Sequence, residues 1–431
     1  MKRLLIGLAL AALPTLTLAL PALPPPSSEA LLQMANEFEQ ELTSNILPYW
    51  IKNAPNPKTG GFYGQVSADG KADPSAERGA LLSSRILWSY SAAYLNYKDE
   101  SYRKLADQAF KDLETRFWDK KNGGLYWSVT GDGKIAQTHK QTYGQVFGIY
   151  GYSEYFRATG NKEALERAKT LFQLIEQHAL DKQHGGYVEV VGEDWQPLAK
   201  PINSLATPAA KSQNTHLHVM EAYTNLLRVW PDAQLKKQQT ALVNIMLDKI
   251  LNAKTHHLAL FMDADWKVQG DGISYGHDIE AAWLLVDAAN VLDDKALIKR
   301  TRALAVKIAD TVIAEGIDSD GALYNEASAS KGLTNSSKDW WAQAEALVGF
   351  INAYEITGDA KYLMETMRTW GFIRAHLVNT KTGEWHWGTD RTGKVVVQPT
   401  LSMWKCPYHN SRAMMETAHR LQRLAAITPV R

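Results

Sequence analysis

Apolar positions recur at helical spacing down most of the chain. Leu82, Ile86, Leu87 and Tyr90 share one helical face, and Leu165, Ala168, Leu171 and Phe172 share another. Steps of three and four residues predict amphipathic helices. Two kinds of break interrupt them. The first is a Gly-aromatic turn: Gly60-Gly61-Phe62-Tyr63, Gly123-Gly124-Leu125-Tyr126, Gly185-Gly186-Tyr187, Asp320-Gly321-Ala322-Leu323-Tyr324 and Gly383-Glu384-Trp385. His257-Leu258-Ala259-Leu260-Phe261 stands where a Gly-less copy belongs. The second break is a turn with an Asp or Asn helix cap, at Asp99, Asn161, Asp232, Asp294 and Asp359, followed each time by helix formers.

Each repeat is therefore helix, tight turn, helix and Gly-aromatic loop, with a period of about 60–70 residues. Six copies predict about twelve helices in an all-α fold. Six αα-hairpins of this length close into an (α/α)6 barrel. The Gly-aromatic pairs then form short β-hairpin loops, because glycine allows a positive-φ turn and aromatics favour extended pairing. Closure buries the ends that an open helical solenoid, the rival architecture, has to cap.

The first residues follow a different pattern. Lys2 and Arg3 precede an apolar run from Leu4 to Leu18, and Thr17-Leu18-Ala19 has small-x-small cleavage character. This predicts a signal peptide over 1–19, a Pro-rich linker over 20–28 and one barrel domain over 29–431. The run is short and Pro14 interrupts it, which disfavours a membrane anchor. The expectation is an exported protein, periplasmic or secreted, with no membrane contact after cleavage.

Composition narrows the partners. The 431 residues carry 47 Lys+Arg against 46 Asp+Glu, so nothing in the charge balance suits a phosphate backbone, and no nucleic acid is expected. The one cysteine, Cys406, excludes internal disulfides and a cysteine-based zinc site. The core must hold the fold unaided, and roughly 400 residues suffice for that. A monomer or weak dimer is expected. Tryptophan is abundant, at 14 residues, which suits either core packing or sugar stacking.

The helix before each capped turn begins with unusual side chains: Arg85; Tyr143; Asn214 to Glu221; His277 and Glu280; Trp340, Trp341 and Glu345; and His409. In a ring these starts meet at one mouth, the setting of a small-molecule site. His218 and Glu221, and His277 and Glu280, are spaced three apart, so each imidazole can be oriented by its own glutamate or by a neighbour's. His409 follows Pro407 at a helix start, where the dipole keeps an imidazole neutral and basic. His216 and His218, two apart, face different ways, which leaves His216 structural and makes them poor joint metal ligands. Zinc on the remaining histidines is the alternative. Glu221, Glu280 and Glu345 each sit beside a His or Gln. They read as orienting partners rather than the free acid/base pair of a glycoside hydrolase. Histidine proton transfer next to a carbonyl fits better.

Four strings carry a resemblance. They are Lys211-Ser212-Gln213-Asn214-Thr215-His216-Leu217-His218 with Glu221 to Leu226, Ser274-Tyr275-Gly276-His277-Asp278-Ile279-Glu280, Trp340-Trp341-x-Gln343-Ala344-Glu345, and Trp404-Lys405-Cys406-Pro407-Tyr408-His409-Asn410. From about residue 30 onward the chain resembles the cellobiose 2-epimerases of the N-acylglucosamine 2-epimerase superfamily. The resemblance implies an (α/α)6 barrel that inverts C2 of the reducing-end sugar of a disaccharide, with no metal or nucleotide cofactor. It makes His277 and His409 the acid/base pair. His218 and Arg85 would polarise the C1 and C2 oxygens, with Tyr143, Asn214 and Glu280 positioning them. Trp341 and Trp404 would pack on the sugar rings, with Trp340, Trp385 and Trp387 as further candidates. Ser411, where relatives often have Gly, is expected to alter the pocket wall. Two other outcomes stay open: a monosaccharide enzyme of the same superfamily, and a sugar-binding barrel without activity.

Overall fold

Helices with one buried stripe alternate with helices buried all round. In α4 (Glu100–Asp112) only Tyr102, Leu105, Ala106, Ala109 and Asp112 are buried, an i, i+3, i+4, i+7 stripe extended by the terminal Asp112. In α3 (Ala80–Tyr97) every residue from Ala80 to Ala93 is buried. A one-stripe helix belongs outside, and an all-round one belongs inside a second layer. The structure, a computed structural model, describes residues 26–198 and 209–428. The expected signal peptide and most of the Pro-rich linker lie outside these residues. The linker's end is corrected slightly: Ser27 already caps α1 (Ser28–Glu41), its side chain accepting from Ala30 N.

The outer layer comprises α1, continued through a π turn into α2 (Leu47–Asn53), then α4, α6 (Lys162–His178), α8 (Ala233–Ile245), α10 (Lys295–Glu315) and α12 (Ala360–Phe372). The inner layer comprises α3, α5 (Thr142–Thr159), α7 (Gln213–Leu227), α9 (Tyr275–Leu292), α11 (Trp340–Thr357) and α13 (Tyr408–Ile427). Each inner helix packs on the next, and α13 returns to α3. That last contact closes the ring and removes the open solenoid. Asp99, Asn161, Asp232, Asp294 and Asp359 each cap the helix after them through the side chain. Among the described residues no helix is long and apolar enough to cross a membrane.

The six loops are β-hairpins. Antiparallel bridges pair Pro55 with Phe62, Trp118 with Leu125, Leu180 with Tyr187, Leu251 with Leu258, Ile317 with Leu323 and Val378 with Trp385. Two residues before the second partner the backbone turns left-handed each time. Five of these positions are glycine, and the fourth is His256, at φ 62°. The Gly-less copy thus keeps the turn and carries the strain of a side chain in it. Neighbouring repeats are stitched by short ladders, Arg78 to Val129, Lys140 to Val191, Lys211 to Met262, Gly272 to Ser328 and Lys338 to Thr389. A bridge from Val66 to Leu401 joins the last repeat to the first. These loops all lie at the end where the inner helices begin.

Candidate active site

The first two turns of each inner helix divide their work. In α5, α7, α9 and α11 the fourth residue of the helix holds the hairpin. Gln145 and Gln343 each clamp both backbone groups of one hairpin residue, Leu125 and Leu323. His216 does the same job with an imidazole: Nε2 accepts from Tyr187 N at 2.9 Å and Nδ1 donates to Ser212 O at 2.7 Å. Asp278 accepts from Leu258 N at 2.8 Å. His216 is structural, as its spacing from His218 predicts. Other residues of the same turns face inward. Arg85, Tyr143, Asn214, His218, His277, Glu280, Trp341, Trp404 and His409 all line one pocket at the mouth, joined by Trp340 and Trp387. Trp385 does not join them. It is fully buried and donates from Nε1 to Glu41 Oε1 at 2.9 Å, so it belongs to the core.

Three imidazoles meet in this pocket, each fixed from behind. His218 Nδ1 lies 2.7 Å from Glu221 Oε2, and His409 Nδ1 lies 2.7 Å from Glu345 Oε1. A carboxylate only accepts, so the neutral ring carries its proton on Nδ1 and keeps an Nε2 lone pair free. His277 differs from expectation. Its Nδ1 meets Ser274 Oγ at 2.7 Å, one turn earlier, and not Glu280, one turn later. Both neighbours sit three residues away, and Glu280 is withdrawn because Arg412 Nη2 donates to it at 2.8 Å. Burial keeps all three rings neutral. It lowers His218 against the pull of Glu221, lowers His277 to about 3, and lowers His409 far below its usual value with help from Arg85 and Arg412. The neutrality read from the helix start therefore comes mainly from desolvation.

Arg412 is the residue that the sequence motifs missed. It lies one turn past His409 on α13 and is 1% exposed. Its Nη1 donates to Glu221 and Tyr408, and its Nη2 donates to Glu280 at 2.8 Å and to Glu345 at 2.7 Å. One guanidinium thus serves all three inward glutamates and links the supports of His218 and His409. Burial pushes Glu221 up, but Arg412 and His218 outweigh it and hold the carboxyl at about 2. Donor atoms of Glu280, Glu345 and His409 lie within 4.8 Å of one another, the spacing of a metal cluster. Arg412 Nη2 already bridges the two carboxylates of that set, so the cluster's charge is met by the protein itself.

The other motif residues are anchors. Lys405 Nζ and Asn410 Nδ2 both donate to Glu384 Oε1, at 2.8 and 2.7 Å, fixing the loop that delivers His409. Ser411 is fully buried and is not among the residues that line the pocket, against the expectation that it shapes the wall. Arg85 is buried with no carboxylate partner among the described residues. Its Nη2 donates to Tyr143 Oη at 2.7 Å, and its guanidinium lies over Phe147 and Tyr408. Among the described residues four buried polar atoms of pocket residues have no partner: Arg85 Nε, Asn214 Oδ1, Glu280 Oε2 and Trp340 Nε1. Trp341 lies beside His277 and His409, at ring separations of 4.7 and 5.7 Å, and Trp404 is 38% exposed at the rim. Indoles beside unspent hydrogen-bonding groups suit a hydroxyl-rich, uncharged ligand.

Neutral, backed imidazoles at the mouth of a closed helical ring have the chemistry to exchange protons with a small polar molecule. The comparisons with known proteins give the class. The family model for N-acylglucosamine 2-epimerase matches residues 61–413. A cellobiose 2-epimerase of Bacteroides fragilis is 41% identical over 385 residues, covering 89% of this chain and 98% of that one. A cellobiose 2-epimerase of Dictyoglomus turgidum is 38% identical, covering 90% and 99%. The solved structure of cellobiose 2-epimerase from Bacillus thermoamylovorans superposes with a TM-score of 0.85 at 36% identity, covering 90% of this chain and 99% of that one. The chain belongs to the N-acylglucosamine 2-epimerase family. It is a carbohydrate epimerase, an isomerase, on an (α/α)6 barrel.

Proposed function

We propose that this enzyme inverts C2 of the reducing-end sugar of β-1,4-linked disaccharides. Cellobiose would become glucosyl-mannose, and mannobiose or lactose would follow the same course. The observation that carries this reading is the meeting of three neutral imidazoles from three inner helices, each with Nδ1 engaged and Nε2 free. After ring opening, one of His277 and His409 removes the C2 proton. The resulting cis-enediolate keeps its charge on O1 and O2, where Arg85 and His218 hold it. Rotation about C2–C3 presents the other face, and the second imidazole returns a proton. Trp341 would stack on the reducing sugar and Trp404 on the outer one. No step calls for a cofactor. We also propose, from the 1–19 pattern, that the enzyme is exported and meets its disaccharide outside the cytoplasm.

Purified protein incubated with cellobiose, glucose, mannose and N-acetylglucosamine, followed by proton NMR, tests the substrate class. C2 inversion of cellobiose ahead of the three monosaccharides is expected. Inversion of monosaccharides alone would overturn the disaccharide assignment.

A further inference from the structure

Three buried carboxyls share one guanidinium, but not equally. Glu345 Oε1 accepts from Arg412 Nη2 at 2.7 Å and lies 2.7 Å from His409 Nδ1, while its Oε2 accepts from Trp283 Nε1 at 3.0 Å. Glu221 Oε1 takes Arg412 Nη1 and the Tyr408 hydroxyl, and its Oε2 faces His218 Nδ1 at 2.7 Å. Among the described residues Glu280 receives one donor only, Arg412 Nη2 on Oε1. Its Oε2 is buried and has no partner. Donors are what stabilise a carboxylate in a dry site, and neighbouring carboxylates repel. With one bonded cation, Arg412, shared among three acids, the acid with the fewest donors takes the proton, and that acid is Glu280.

We infer that Glu280 acts as a neutral carboxylic acid, its Oε2–H donating a hydrogen bond into the pocket to the oxygen on C1 or C2 of the open-chain sugar. The assignment rests on the enediolate reading above. A carboxylate at this wall would repel the enediolate. A protonated carboxyl donates to it, and the bond strengthens as charge develops on the sugar oxygen. The proton stays on Oε2 throughout and is not part of the C2 transfer. Burial and the nearby Glu345 both raise the Glu280 pKa far above the carboxylate range, against Arg412. The charged and titratable groups around it are Arg85 on α3, Tyr143 on α5, His218 and Glu221 on α7, His277 on its own helix, Glu345 on α11, and Tyr408, His409 and Arg412 on α13. Counted with neutral histidines, Arg85 and Arg412 balance Glu221 and Glu345, which leaves no charge for Glu280 to neutralise.

Glu280→Gln keeps the shape and a neutral donor. Its Oε1 still accepts from Arg412, and its NH2 points where Oε2–H did. Its kcat on cellobiose is expected within about tenfold of wild type, whereas Glu280→Ala, which removes the donor, is expected to lose about 10²–10³-fold. A second measurement needs no turnover. The infrared difference between wild type and Glu280→Gln at neutral pH should contain the carbonyl stretch of a protonated carboxyl, shifted in deuterium oxide. A folded Glu280→Gln as slow as Glu280→Ala, or the absence of that band, overturns the proposal. A wild-type enzyme that inverts no disaccharide would instead overturn the function, and the infrared band would still decide the state of Glu280.

Discussion

His277 and His409 face the same pocket across the edge of Trp341, but they are held differently. His409 leans on Glu345, which is tied to Arg412 and through it to Glu221 and His218. His277 leans on a serine hydroxyl and touches none of that network. A carboxylate behind an imidazole fixes the tautomer and also stabilises the protonated ring; a hydroxyl fixes the ring with little effect on its charge. An enzyme that returns a proton on the opposite face needs two bases, yet it does not need two identical ones. On the wall formed by α7, α11 and α13 the network backs His218 and His409; on the α9 wall it ties Glu280 but leaves His277, the plainer base of the proposed mechanism, on a serine.

Breaking the hub should show the largest effect. Arg412→Leu leaves three carboxyls buried without a cation, at a cost of about 3–5 kcal/mol in stability. It also removes the cation that holds the glutamates behind His218 and His409. Urea unfolding and epimerisation rates should fall together, and an active, stable variant would remove Arg412 from the account. Next, Glu345→Gln should lower kcat about 10²-fold while leaving KM within a few-fold, since the group it supports toward the pocket is His409, one of the two proposed proton carriers. A loss confined to KM would mean that Glu345 binds sugar instead.

The same helix offers an internal control on burial. His216 does by imidazole what Gln145 and Gln343 do by amide, and burial lowers its pKa to about 4. The unfolded chain binds this proton from about pH 6.5, so stability is lost as pH falls from there toward the folded value. His216→Gln should therefore gain on the order of 1–2 kcal/mol relative to wild type between pH 7 and pH 5. Equal pH dependence in both proteins would contradict it. The smallest effect belongs to the plain wall: Ser274→Ala should slow kcat only about fivefold, the worth of one neutral hydrogen bond. A loss as large as that of Glu345→Gln would erase the contrast between the walls.

What the sequence made legible follows from its local rules. Turn glycines, caps and apolar steps are short-range signals, so the six hairpins could be counted, including the one where His256 stands in for glycine. The inward faces of the inner helices were legible for the same reason, and the eight side chains named from them reach one pocket, together with Trp404 from the segment before α13. Partner choice was not legible. His277 has Ser274 one turn back and Glu280 one turn on, and only the third dimension shows that Arg412 takes Glu280. Arg412 itself was within reach: three glutamates pointing into a dry ring demand a cation, and an arginine one turn past His409 is on the right face. Ser411 misled because adjacency in sequence to His409 is not adjacency in the pocket.

The central claim is that one imidazole takes the C2 proton and the other returns it. It is tested most directly by proton NMR of C2 in deuterium oxide, with cellobiose and with glucosyl-mannose, for wild type, His277→Ala and His409→Ala. The account predicts deuterium at C2 with inversion in wild type and loss of inversion in both variants. Any exchange without inversion that a variant retains should come from one sugar only, and from opposite sugars in the two variants. Inversion at near-wild-type rate in either variant would contradict it.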